Sequence, residues 1–289
     1  MRPATRLATY AVLVAAIGGG AAGVGLAVGP VEDDAPAHAA PASSQEGAND
    51  MSMGEHEGGA VASGLAIAND DYRLVVDEGS FDPGEPGTLR FRILDPTGKA
   101  IDDMELHGGV RMHLIVVRRD LTGYQHLHPT LQPDGAWATE LTLPEPGAYR
   151  AFADFERDGA KTVLGADLLA GGTFSPIALP AARTQLDVDG FGVRLDGSAL
   201  AGEETELTFR ITGGDRPAAL EDYLGARGHL VALREGDLAY LHVHPVEGGE
   251  DGQIAFEATF PSAGRYRLFL QFQVDGRVHT AAFTLEVGA

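Results

Sequence analysis

Apolar and polar residues alternate along several short stretches of this chain, and the same stretches occur twice. Gly87-Thr88-Leu89-Arg90-Phe91-Arg92-Ile93 sets Leu89, Phe91 and Ile93 against Thr88, Arg90 and Arg92. Thr205-Glu206-Leu207-Thr208-Phe209-Arg210-Ile211 repeats the pattern with Leu207, Phe209 and Ile211. Successive side chains of a strand point to opposite faces, so each stretch predicts a strand with one face in a core and one in water. Gly228-His229-Leu230-Val231-Ala232-Leu233-Arg234 and its counterpart from His113 to Val117 are apolar runs that also predict strands. Pro146-Gly147-Ala148-Tyr149-Arg150-Ala151-Phe152 matches Ala263-Gly264-Arg265-Tyr266-Arg267-Leu268-Phe269. Further strands are expected near Tyr72–Val76, Ala138–Leu143, Ile254–Phe260 and Thr280–Val287.

Helical periodicity is missing beyond the N-terminus, and Gly and Pro punctuate the strands. Many short strands with such turns predict an all-β protein of two tandem immunoglobulin-like β-sandwich domains. The first repeat spans residues 70–180 and the second 181–289, with the boundary near Ile177–Ala182, where Pro176 and Pro180 interrupt the pattern. Gly147-Ala148-Tyr149 and Gly264-Arg265-Tyr266 resemble the tyrosine corner of that fold. Trp137 is expected in the core.

Arg2 and Arg6 precede an apolar run from Leu7 to Val31, and no acid occurs before Glu32. Residues 1–31 are therefore expected to be a signal or a transmembrane helix. A run longer than twenty residues favours an uncleaved anchor. Its positive end then stays in the cytoplasm and the rest of the chain lies outside, single-pass. Cleavage at Ala37-His38-Ala39 would instead give a secreted protein. Residues 32–69, rich in Ala, Gly, Ser and acids, are expected to form a flexible linker. Within it, Met51-Ser52-Met53-Gly54-Glu55-His56 carries ligands that suit copper.

The net charge of −21 argues against a nucleic-acid partner, which requires a basic footprint. Without cysteine the chain has no thiolate site, no disulfide and no cysteine nucleophile. No nucleophile motif, phosphate loop or dinucleotide fingerprint is present, so no enzyme activity is expected.

Six of the ten histidines fall into a repeated pattern. His113 precedes Tyr124-Gln125-His126-Leu127-His128-Pro129, and His229 precedes Tyr240-Leu241-His242-Val243-His244-Pro245. If Glu235-Gly236 makes a two-residue turn, Arg234 pairs with Asp237 and His229 falls opposite His242, with His244 on the same face. The direct pair would then stand about 5 Å apart at Cβ and the diagonal pair roughly 7–8 Å. The first copy has a longer turn, which leaves its register open. Imidazole is the commonest ligand for transition metals. His113, His126 and His128 are therefore expected to hold one copper or zinc ion, and His229, His242 and His244 a second. Such a trio leaves one coordination position open. The alternative is a cell-envelope binding module, with an envelope protein as partner, in which the histidines form a structural polar network. Glu105 and Glu221 recur eight residues before the first motif His, whereas His107 and His279 break the repeat.

On these hairpins the chain resembles uncharacterised membrane-anchored exported proteins of actinobacteria. It is similar in kind to the periplasmic copper-resistance β-sandwich proteins. The resemblance implies an exported protein and leaves the activity open.

Overall fold

The computed structural model describes residues 63–241, 243–246 and 248–289, with only the backbone at His244. The expected anchor, the cleavage site and the Met51–His56 stretch lie outside the described residues. Among the described residues there is no helix, and none is long and apolar enough to cross a membrane.

Leu89, Phe91 and Ile93 are buried and alternate with exposed Thr88 and half-buried Arg90 and Arg92, so the period-2 stretches are strands with one face in a core. The first repeat runs β1 (Arg73–Val76), β2 (Ser80–Phe81), β3 (Pro86–Leu94), β4 (His113–Arg118), β5 (Gln125–Leu127), β6 (Thr130–Leu131), β7 (Trp137–Thr142), β8 (Gly147–Arg157) and β9 (Ala160–Ala170). The second runs β10 (Gln185–Val188), β11 (Phe191–Asp196), β12 (Ala199–Leu200), β13 (Glu204–Gly213), β14 (Arg216–Pro217), β15 (Gly228–Arg234), β16 (Tyr240–Leu241), β17 (His244–Val246), β18 (Gln253–Thr259), β19 (Gly264–Val274) and β20 (Arg277–Gly288).

Each repeat is an immunoglobulin-like sandwich. One sheet has the order β1-β3-β7-β6 and its partner β2-β9-β8-β4-β5; in the second repeat the orders are β10-β11-β13-β18-β17 and β12-β20-β19-β15-β16. Pairing is antiparallel except where the short β2 and β12 run parallel to β9 and β20. Both tyrosine corners are formed: the Tyr149 hydroxyl donates to the Glu145 carbonyl at 2.8 Å, and Tyr266 to that of Ser262 at 3.0 Å.

The middles of strands β4 (Leu114–Val117) and β15 (Leu230–Leu233) are apolar because both of their faces are covered. Leu114 and Val116 point into the core of the first sandwich, and Leu230 and Ala232 into that of the second. Ile115, Val117 and Phe152 on the opposite face meet Val231, Leu233 and Phe269 in a third core between the repeats. Contacts across this junction are reciprocal: Tyr124 stacks on Phe269 at 4.0 Å, and Tyr240 lies 5.4 Å from Phe152.

The segment Ser63–Ala68, expected in the flexible linker, is held instead. Tyr240 donates its amide to the Ser63 carbonyl at 2.9 Å, tying the segment to the second repeat. The buried Arg150 guanidinium takes the carbonyls of Gly64 and Leu65. A buried cation requires acceptors, and the backbone of this segment supplies them.

Candidate metal centre at the junction of the repeats

Register determines which side chains reach the junction. In β4 and β5, Ile115 lies opposite His126 and Leu114 opposite Leu127. Residues two apart share a face, so His113, Ile115 and Val117 all point toward the second repeat, as does His126. Pro129 then starts the crossing to β6 in the other sheet. The first copy of the motif thus places His113, His126 and His128 together. One ring nitrogen from each lies within 4.8 Å of the others. Ring centres are separated by 5.1 Å (His113 to His126), 5.3 Å (His113 to His128) and 4.8 Å (His126 to His128).

The second copy departs from the expected geometry. Its register pairs Ala232 with Leu241 and Leu233 with Tyr240, two residues away from the register that sets His229 opposite His242. Asp237 is the cause. It turns back to grip the Arg234 guanidinium, Leu238 takes a left-handed conformation, and the hairpin closes from Arg234 to Ala239. The chain then leaves the sheet, and His244 pairs with Glu257 in the opposite one. His242 lies outside the described residues, and the side chain of His244 is not described. His229 faces the first-copy trio across the junction, its ring centre 6.0 Å from both His113 and His126. This contribution from the other repeat has no sequence signal, because spacing within one repeat does not reveal what packs on its outer face.

Hydrogen bonds fix the tautomers. A carbonyl only accepts, so His229 donates from Nε2 to the Tyr223 carbonyl at 2.8 Å and keeps a lone pair on Nδ1. The Gln271 amide nitrogen donates to Thr280, which turns its oxygen toward His126; His126 donates to it from Nδ1 at 2.6 Å. The Nε2 of His126 therefore carries a lone pair and accepts from His113 Nδ1 at 2.9 Å. Nε2 of His113 and Nε2 of His128 are buried without a hydrogen-bond partner. Burial, aided by the neighbouring imidazoles, holds His113 down to about 2. Burial likewise takes His126 down to about 4, against the opposing pull of Gln271. His128 and His229 are lowered for the same reason. The cluster is neutral at physiological pH, the form in which imidazole binds metals.

A cavity of about 210 Å³ adjoins the cluster, lined among others by His107, His113, His126, Asp154, His229 and Tyr240. His107 is exposed and stands 6.0 Å from His113, where the cavity meets the surface. Burial pushes the Asp154 carboxyl up to about 6, although the Tyr240 hydroxyl donates to it at 3.1 Å.

The other singled-out residues do structural work. Glu105 accepts the Gly159 amide and Glu221 that of Gly276, so the recurring carboxylate latches the turn between the last two strands of each repeat. His279 is bonded to Asp189 at 2.8 Å and stacked on Phe272.

A single family model, described as a domain of unknown function (DUF8832), matches residues 66–170 and again residues 186–289. No curated protein matches the chain. Among solved structures, the Escherichia coli adhesin FdeC is 18% identical over 78% of this chain and 66% of its own, with a TM-score of 0.26. The Yersinia pseudotuberculosis adhesin InvE is 13% identical over 75% and 60%, at 0.25. A tandem of titin immunoglobulin domains is 13% identical over 76% and 98%, at 0.20. The chain thus spans less than two thirds of either adhesin structure, and nothing about function follows from overlaps of that size.

Proposed function

The chain belongs to the DUF8832 family through both repeats, a membership that brings no activity with it, and we propose from the geometry that it is a non-catalytic metal-binding protein. His113, His126 and His128 ligate one copper or zinc ion. The observation that carries this reading is the buried, neutral trio with two unpartnered ring nitrogens. A buried polar atom without a partner costs about 1–3 kcal/mol, which an ion would relieve. Tetrahedral zinc at about 2.0–2.1 Å from each nitrogen sets ring centres roughly 5 Å apart, close to the observed separations. Gln271, bonded to the far nitrogen of His126, orients that ring as a metal-bound histidine requires. The acid-free apolar run at 1–31 supports a place outside the cytoplasm, either anchored in the membrane or secreted.

A second reading makes this protein an envelope interaction module whose histidines form a structural network. The bonds from His113 to His126, His126 to Gln271 and His229 to Tyr223 favour it. Isothermal titration of the full-length chain with zinc separates the two. The metal reading expects micromolar or tighter binding, weakened at least 100-fold in a His126→Ala, His128→Ala variant that still folds. A variant that unfolds in the absence of metal, with only millimolar zinc binding in the parent, supports the structural network.

A further inference from the structure

The trio leaves a coordination position open on its own repeat, and the second repeat places the His229 ring beside it. We infer that His229 Nδ1 is the fourth ligand, so that one ion is held by both repeats; the inference rests on the metal reading above. Three observations meet here. His229 is the only described motif histidine of the second repeat with a side chain in the cluster, and its ring lies 6.0 Å from two of the trio. A tetrahedral set needs about 5 Å, so the closing movement toward those two rings is about 1 Å. Its Nε2 is committed to the Tyr223 carbonyl, which leaves Nδ1 as the nitrogen with a free lone pair and holds the ring in place. Gln271, the residue that orients His126, belongs to the second repeat and lies opposite His229 in the register of β15 and β19. Both repeats therefore already contribute to the ligand sphere.

Four imidazoles around one ion close the site. The ion then has no vacant position for water or substrate, and it acts as a cross-link between two sandwiches. Exposed His107 is the competing fourth ligand. It faces His113 from the cavity mouth rather than from the other repeat.

Cobalt(II) tests this directly, because four-coordinate cobalt absorbs visible light far more strongly than five- or six-coordinate cobalt. Full-length parent, His229→Gln and His107→Ala proteins are titrated with cobalt chloride. Glutamine retains a donor for the Tyr223 carbonyl, so His229→Gln is expected to fold, and circular dichroism checks this. The parent is expected to take one cobalt with the strong four-coordinate band. His229→Gln should bind at least 10-fold more weakly and lose most of that band, whereas His107→Ala should match the parent. Cobalt should also raise the urea midpoint of the parent more than that of His229→Gln. Parent-like affinity and spectrum in His229→Gln overturn the shared site and leave the three-histidine reading standing. Loss of the band in His107→Ala alone assigns the fourth position to His107. A parent that binds no cobalt overturns both readings.

Discussion

Asp120 shows how much one buried charge can organise. Its side chain and that of Arg118 are 4% and 3% exposed, and they form a bidentate pair. Burial alone would push the carboxyl up. The Arg118 guanidinium, the Ile177 amide and the Thr122 hydroxyl overcome that and hold it down to about 2. A carboxyl depressed on folding stabilises the protein above its unfolded value near 3.9, and that stabilisation disappears as pH falls through the folded value. The window is pH 4 to 2, and the loss is about 2.6 kcal/mol. Asp120→Asn leaves Arg118 buried and uncompensated, so it should lose about 3–5 kcal/mol at pH 7 in urea denaturation. The variant should then lack the parent's acid-dependent decline between pH 4 and 2. An Asp120→Asn protein as stable as the parent at pH 7 would show the pair to be ornamental. The Ile177 amide, in the stretch between β9 and β10, also donates to this carboxylate.

At the scale of elements, alternation made β3 and β13 readable, and the repeated Gly-x-Tyr made the corners readable. The apolar runs of β4 and β15 were readable as strands. That both faces were covered did not follow, because the cover is the other repeat. The second hairpin was misplaced by two residues because Asp237 serves Arg234 rather than continuing the ladder. Before each of these strands lies a small loop, His107–Val110 and Tyr223–Ala226, and the two loops touch. Gly108 has φ +60°, and a Cβ there would strike the Leu224 carbonyl. Gly109 has φ +85° and open space around it. Both alanine variants bear left-handed strain of about 1–3 kcal/mol. Gly108→Ala adds a backbone collision, so it should be the less stable by a further 1 kcal/mol or more, on the order of a typical single-site defect. Equal urea midpoints for the two variants would mean the loops do not bear on each other.

Across the whole molecule, the third core should make the two sandwiches unfold together. Val231 and Leu233 are buried at 4% and 0% exposure between the repeats. A Val231→Asp, Leu233→Asp variant puts two carboxylates into that apolar layer, which is strongly unfavourable. Calorimetry should show one transition for the parent and two for the variant. Two transitions in the parent would mean that the junction does not couple the sandwiches. The candidate site follows the same division. His113, His126 and His128 were readable from spacing because one hairpin carries them, and His229 was not, because its partners come from the other sandwich. The reciprocal contacts, Tyr124 on Phe269 and Phe152 beside Tyr240, are those of an isologous pair. The tandem is in effect a homodimer fused into one chain. Fusion keeps the halves at a local concentration on the order of millimolar, so even a modest interface stays closed. It also releases the halves from identity: where one carries Gln271 beside His229, the other carries Asp154 beside His113, so a once-duplicated surface has specialised into two unlike sides of a single crevice.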